Sequence, residues 1–379
     1  MEEVVKYHSR LFLDDGYYIR IITGEGERFD PDIDLVIIPE LRARLRSGFC
    51  EDLKMKILES LNKVITDLDL LIVHNIMTMP LNISLTAAIA DLAQNIPIIA
   101  WTHDLAIFDP NYQFPKDEYP WSLITRRNEG MTYVVISDYR KEQLEELFGD
   151  SNSIVIPNGV DLFRISGCDT ELTMVIEPLI YKGAIGLMPG RLVRRKNFEF
   201  AIRIIAALNR RMSSTLLLTA PVDPHNPDTV NYHNELKKLI GEMGIGDKVI
   251  FLSERIDLSD WGRVRTLYTI ADFLLLTSRI EGFGLPVVEA GVMKTPIFAS
   301  RIPPIESLVN SSGVFLFDLD DDPDEVGSMI YTELNGSPNF QLKQRIISEF
   351  TWKAIYEKKI RPLLKDLDKF DIEGKDLSG

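Results

Sequence analysis

Short apolar runs recur along the chain, separated by stretches whose apolar positions return every three or four residues. The first series is YYIRIIT (17–23), DLVIIP (34–39), DLLIVHN (69–75), IPIIAWTHD (96–104), TYVVISD (132–138) and SIVIPNG (153–159). The second is AIGLMPGR (184–191), STLLLTAP (214–221), KVIFLSE (248–254), DFLLLTS (272–278), TPIFAS (295–300) and GVFLFD (313–318). Helical periodicity fills the gaps, as over 52–68 and 82–94. Runs rich in Val, Ile and Leu that alternate with helices predict parallel strands buried on both faces. Two such series predict two doubly wound α/β domains, with the boundary where the pattern lapses, near 161–183.

Open α/β sheets bind ligands at the carboxyl ends of their strands, so the residues just after each run carry the candidate chemistry. They are polar: His74-Asn75, His103-Asp104, Ser137, Pro157-Asn158-Gly159, Gly190-Arg191, Glu254-Arg255 and Glu281-Gly282. These loops are expected to line a shared cleft. In MPGRLVRRKNFEFAI (188–202) a strand ends at Gly190 and a helix is predicted to start near Asn197. The turn between them holds Arg191, Arg194 or Arg195, and Lys196. Helix N-termini favour anions, so a basic cluster there suits a multiply charged anion such as a diphosphate. A solvated basic loop explains the same residues.

The stretch SRIEGFGLPVVEAG (278–291) holds two glutamates flanking a Gly-Phe-Gly-Leu-Pro turn. Pro286 suits the first position of a helix, which leaves Glu281 in the loop and places Glu289 in the helix. Gly282 and Gly284 permit positive φ and a close backbone approach. The amides of Phe283, Gly284 and Leu285 can then face a phosphate, while a carboxylate accepts hydrogen bonds from sugar or ribose hydroxyls. A glutamate stabilising its own helix accounts for Glu289, but poorly for Glu281 and the glycines.

Composition narrows the classes. The chain has 379 residues, 45% hydrophobic and 26% charged, enough for two packed domains. A net charge of -15 argues against a general nucleic-acid binder and against docking on anionic membrane. Cys50 and Cys168, far apart in sequence, read as reduced thiols. No apolar run is long enough for a bilayer span, and the acidic, then amphipathic start does not read as a signal peptide, so a cytoplasmic location is expected.

Taken together, the motifs resemble those of the retaining glycosyltransferases of family 4, with the GT-B fold of two Rossmann-like domains facing across a cleft. EGFGLPVVE is similar to that family's E-x7-E element, and GRLVRRKN to its strand-end arginine followed five residues later by a lysine. IPNGVDLF (156–163), VVISDYRKEQL (134–144) and WTHD (101–104) are similar to further elements, so the likeness runs in order from about Tyr17 to Leu364. It implies an N-terminal acceptor-side domain over 1–165, a donor-binding domain over 183–352, and a helix over 353–370 that crosses back to the first. The implied activity is transfer of a hexose from a UDP-, GDP- or ADP-sugar to a hydroxyl of a small acceptor, with retention and without a metal or prosthetic group. Arg191 and Lys196 would hold the diphosphate together with Gly190. Glu281 would accept from the sugar, and Glu289 from the ribose. Gly282, Phe283, Gly284 and Leu285 would touch sugar and phosphate through their amides, and Arg255 and Ile256 would face the base. His103 would lie beside the reacting sugar, with His74, Asn75 and Asp104 on the acceptor side. His8, His225 and His233 are expected at the surface. The acidic run 318–325 is expected to be a solvated loop and helix start rather than a metal site.

Some segments, VHNIMTMPLNISLT and AWTHDLAIFDPNYQFPKDEYPW, look like those of transferases that glucosylate or mannosylate glycerate-type glycosides. One departure stands out. The family opens with a strand and a glycine-rich loop, whereas here the first residues read as the first helix and second strand. A shortened gene product, a sheet with one strand fewer, and a strand supplied by another chain all remain open. An exposed sheet region near the N-terminus, covered in a homo-oligomer, is expected. The alternative functions are a non-catalytic sugar-nucleotide-binding protein and a GT-B phosphorylase or epimerase. The last residues, 370–379, are expected to fray.

Overall fold

A computed structural model describes residues 1–44, 48–149, 152–221, 225–309 and 313–367; the tail expected to fray lies outside them. Every apolar run of the two series carries a strand, and the chain forms two compact α/β units, Met1–Val160 with Trp352–Gly379 and Asp161–Thr351.

The first unit begins with helix α1 (Glu2–Asp14), followed by strands β1 (Arg20–Thr23) and β2 (Asp34–Ile37). Helix α2 (Glu51–Val64) leads to β3 (Leu71–His74), and α3 (Ile83–Leu92) to β4 (Ile98–Thr102). Then come β5 (Met131–Val135), α4 (Asp138–Phe148) and the short β6 (Ile154–Val155). All pairing is parallel: β1 with β2, and β3-β4-β5-β6 in that order. Among the described residues no ladder joins the β1–β2 pair to β3, yet both apolar layers run across the two sheets. Ile22 and Val36 pack with Val73, Ile98 and Tyr133, and Ile19 packs with Ile72, Ile99 and Trp101.

The second unit carries α5 (Leu162–Ser166), α6 (Thr170–Ile180), β7 (Ala184–Met188), α7 (Phe198–Asn209) and β8 (Ser214–Leu218). It continues through α8 (Pro227–Glu242), β9 (Val249–Phe251), α9 (Trp261–Ile270), β10 (Phe273–Leu276) and α10 (Leu285–Val292). It closes with β11 (Ile297–Ser300), α11 (Pro303–Leu308), β12 (Val314–Phe317), α12 (Pro323–Gly336) and α13 (Pro338–Glu349). The parallel sheet runs β12-β11-β10-β7-β8-β9. Strands β7, β8 and β9 advance to one side and β10, β11 and β12 to the other, so the order reverses between β7 and β10. That is the switch point at which an open sheet leaves a crevice at its carboxyl edge. The strands at the centre are buried on both faces, which is why they read as unbroken apolar runs rather than alternating ones.

After α13 the chain returns to the first unit as helix over 352–367, beginning with α14 (Trp352–Ile355) and containing one π-helical turn over Tyr356–Ile360. Ile355, Tyr356, Ile360 and Leu364 pack there with Phe12, Trp101 and Val134. Gly159 is what lets this helix approach, because a Cβ at that position would lie 2.5 Å from the Trp352 ring.

Candidate functional site

In the second unit, the loops that follow β7 and β10 converge at the switch point. After β7 the chain turns at Gly190 (φ +131), and a 3-10 turn over Arg194–Lys196 leads into α7. The positive φ suits glycine, and the Lys196 side chain lies 3.3 Å from where a Cβ would stand. After β10, residues 277–284 form a loop that ends at Gly284 (φ +100), the N-cap of α10. Pro286 takes the second helical position, one later than the sequence suggested, and Glu289 falls in the helix as expected.

The two loops meet through charge. Lys196 Nζ donates to Glu281 Oε1 at 2.5 Å, and Ser278 Oγ donates to the same oxygen at 2.5 Å. Arg195 lies 3.3 Å from Glu281 Oε2 and also donates to the Ile280 carbonyl. The side chains of Lys196 and Glu281 are only 8% and 11% exposed, so each charge depends on the other. Burial pushes the Glu281 carboxyl up, but the bonds from Lys196 and Ser278 and the nearby cations outweigh it. Its pKa therefore lies below the usual carboxylate range. Thr277 Oγ1 donates to the Lys196 and Asn197 carbonyls at 3.0 and 2.8 Å, which pins one loop to the other.

The other cations separate. Arg194 points away, donating twice to Glu235 at 2.8 Å and stacking on Tyr232. Arg191 is exposed, and its side chain makes no hydrogen bond or ion pair among the described residues. Helix α10 has no side-chain cap, whereas α6, α8, α9 and α12 are capped by Asp169, Asn226, Asp260 and Asp322. An acidic cap would compete with an anion at the helix start. Gly282, Phe283 and Leu285 are exposed around that start. Glu289 accepts from the buried Tyr268 hydroxyl at 2.5 Å. Arg255 is exposed, while the Ile256 side chain is buried in the core beneath, so Ile256 can offer a ligand only its backbone.

Several acids of 318–325 are engaged within the fold. Asp318 accepts from Arg301, Asp322 caps α12, and Asp324 pairs with Arg210 and Arg211. Among the described residues no group of three or more His, Cys, Asp or Glu is placed to hold a metal ion, and Cys50 and Cys168 are free thiols.

In the first unit, the ends of β3 and β4 form a second polar cluster. Asn75 (φ +58) accepts from the His103 and Asp104 amides at 2.7 and 3.0 Å and donates to Asp104 Oδ2 at 3.1 Å. Asn75 and Asp104 thus staple the two strand ends together. His74 Nδ1 and His103 Nε2 share a hydrogen bond at 3.1 Å. The His8 ring stands 6.0 Å from that of His74 and 4.6 Å from that of Trp101. Both nitrogens of His8, and Trp101 Nε1, are buried without a hydrogen-bond partner among the described residues. Burial, together with the neighbouring imidazoles, holds His8 and His74 down to about 3. His103 is also lowered, by burial and then by the nearby N-terminal ammonium, against the pull of Asp104.

Two expectations are corrected. His8 and His233 are buried, not surface residues; only His225 is exposed. The missed signal was helical spacing, since His8 falls on the Val4–His8–Phe12 stripe of α1 and His233 on the buried face of α8 with Thr229, Leu236 and Ile240. Sequence reasoning also missed Tyr268 and Ser278 as partners of the two glutamates. Nothing in a linear pattern marks a tyrosine 21 residues before its carboxylate.

Residues 1–164 match the family model described as Glycosyltransferase Family 4, and residues 173–330 match Glycosyl transferases group 1. Among curated proteins, the chain is 27% identical over 261 residues to a mannosylglucosylglycerate synthase of Petrotoga mobilis, covering 62% of this chain and 60% of that one. It is 24% identical over 294 residues to a mannosylglucosylglycerate synthase of Thermotoga maritima, covering 72% and 66%. It is 28% identical over 189 residues to alpha-1,3/1,6-mannosyltransferase ALG2 of Mus musculus, covering 48% and 44%. The matches thus span about 60% of the length of the Petrotoga protein and under half of the mouse one. Among solved structures, a glycosyltransferase from Rickettsia africae aligns over 97% of this chain and 95% of its own, at 18% identity and a TM-score of 0.40.

Proposed function

We propose, from the premise that this chain belongs to the glycosyltransferases of family 4, that it transfers a hexose from a nucleotide-diphosphate sugar to a hydroxyl of a small acceptor. The observation that carries the reading is the buried Lys196–Glu281 pair at the β7/β10 switch point, beside an uncapped helix N-terminus. Cleavage of the anomeric bond leaves negative charge on the diphosphate. Fixed cations aimed at that developing charge are the principal catalytic device. Lys196 is held by Glu281 at its ammonium and by Thr277 at its carbonyl, and needs little reorganisation. Arg191, exposed earlier in the same connection between β7 and α7, supplies the second cation, and the amides of Gly282 to Leu285 supply neutral donors.

Glu281 plays two parts in this scheme. It orients Lys196, and its remaining lone pairs accept from hydroxyls of the transferred sugar. Glu289 accepts from the ribose. Arg255 and the Ile256 backbone flank the base. From the first unit we assign His103, held by His74, to the reacting sugar; as a neutral imidazole it can share a hydrogen bond without adding charge. Transfer proceeds with retention, and Arg191 and Lys196 take the part that a divalent metal plays in other transferases. Glycerate-type glycosides head the acceptors to be tested, a choice supported by the names of the two synthases among the relatives.

The test is nucleotide release by the purified protein from UDP-, GDP- and ADP-hexoses, with and without glycerate glycosides. Acceptor-dependent release is expected, and it should vanish in Glu281→Ala. Tight nucleotide binding with no release under any pairing would overturn transfer in favour of a binding protein.

A further inference from the structure

Tyr268 has no part in the scheme above, yet it is tied to it. It sits on α9 with its side chain buried among Leu267, Ile270 and Leu274, only 2% exposed. A buried phenol needs a partner for its hydroxyl, and this one reaches across to α10 and donates to Glu289 Oε2 at 2.5 Å. From the other side, Thr295 Oγ1 donates to the Tyr268 carbonyl at 3.2 Å, so the segment that follows α10 also holds α9 in place.

The consequence lies on the carboxylate. A glutamate at the edge of a short helix can rotate about its last torsion, which is broad. A hydrogen bond from a buried ring removes that freedom. It occupies Oε2 and leaves Oε1 with no partner among the described residues. Burial, and then the bond to Glu289, push the Tyr268 hydroxyl above the usual phenol range, so it stays a donor at every working pH.

We propose that Tyr268 is a positioning residue that fixes the Glu289 carboxylate so that Oε1 accepts from the cis-diol of a ribonucleotide. The inference rests on the reading of Glu289 as the ribose acceptor. It adds that the selectivity for ribose over a deoxy sugar is set from beneath, by a group that never touches the ligand.

The experiment uses the full chain and calorimetry. UDP, GDP and ADP are titrated, and the tightest is compared with its 2′,3′-dideoxy counterpart. The wild type should prefer the ribonucleotide by tenfold or more. Tyr268→Phe keeps the ring and removes only the hydroxyl. It should weaken the ribonucleotide by about tenfold, as for loss of one hydrogen bond to a charged group, and leave the dideoxynucleotide unchanged. Adding Tyr268→Phe to Glu289→Gln should cost nothing further for either ligand. An equal loss for both nucleotides would make Tyr268 merely structural, and no loss would make it irrelevant; either overturns the proposal. The underlying reading fails separately, if Glu289→Gln retains the full preference for ribose or if none of the three nucleotides binds. Should Tyr268→Phe fail to fold, Thr295→Val serves as the second variant. It loosens α9 without touching the phenol, and it should narrow the ribose preference; an unchanged preference would count against positioning from α9.

Discussion

Each unit gathers a polar cluster at the ends of its strands, and the two clusters solve burial in opposite ways. In the first unit His8 and His74 lie close together without a countercharge, so burial holds both down near a pKa of 3 and they stay neutral. In the second unit Lys196 and Glu281 are equally hidden, but each is the other's countercharge, so Glu281 stays ionised. Burial alone does not decide whether a group keeps its charge; the presence of a partner does. The neutral cluster suits packing and a shared hydrogen bond, whereas the charged one suits a ligand that brings charge of its own.

The largest expected effect comes from breaking the charged pair. Lys196→Ala leaves Glu281 without its principal partner and removes a cation from the proposed diphosphate site. Turnover should fall by roughly a thousandfold, and stability by about 3 kcal/mol. Nucleotide release and urea unfolding at pH 8 measure the two. If turnover survives, the switch-point loops are not the donor grip.

Acid separates the clusters next. In the unfolded chain His8 titrates near 6.5, and in the fold at about 3. Between those values the unfolded state binds the extra proton, so stability is lost as pH falls below about 6.5, by roughly 2 kcal/mol for this one histidine at pH 5. The lowered Glu281 pKa works in a lower window: its contribution is intact above the ordinary carboxylate value and is lost as pH falls through the depressed one. His8→Phe should therefore gain about 2 kcal/mol at pH 5 relative to its effect at pH 8, read from urea midpoints at the two pH values. An equal effect at both would mean that His8 is not held neutral.

The smallest effect is expected at Arg194. Its pair with Glu235 is exposed on both sides, so Arg194→Ala should leave the urea midpoint essentially unchanged. Turnover should be unchanged, because the side chain faces away from Glu281. A large loss of turnover would move the cationic site from Arg191 and Lys196 to Arg194.

Much of this could be read from the chain. Each apolar run carries a strand among the described residues, and the central ones, buried on both faces, need no tertiary information to reveal themselves. The turn at Gly190 and the loop before α10 were legible from glycine and proline placement. His8 was misplaced because its position on the α1 stripe was not weighed. Arg194 and Arg195 could not be told apart, since neighbours along a chain point in different directions only once a turn is formed.

The sequence by itself determined the strand series, the helix starts and the residue types able to meet phosphate and hydroxyl. Tertiary structure alone decided which of them meet. Lys196 and Glu281 stand 85 residues apart, and they become partners because β7 and β10 are neighbours at the point where the strand order reverses. Tyr268 meets Glu289 because α9 and α10 pack beside each other, whereas Ser278 reaches Glu281 within one loop, three residues away. A hydrogen bond depends on distances of a few ångströms, and in a parallel sheet those distances are set by strand order rather than by separation along the chain.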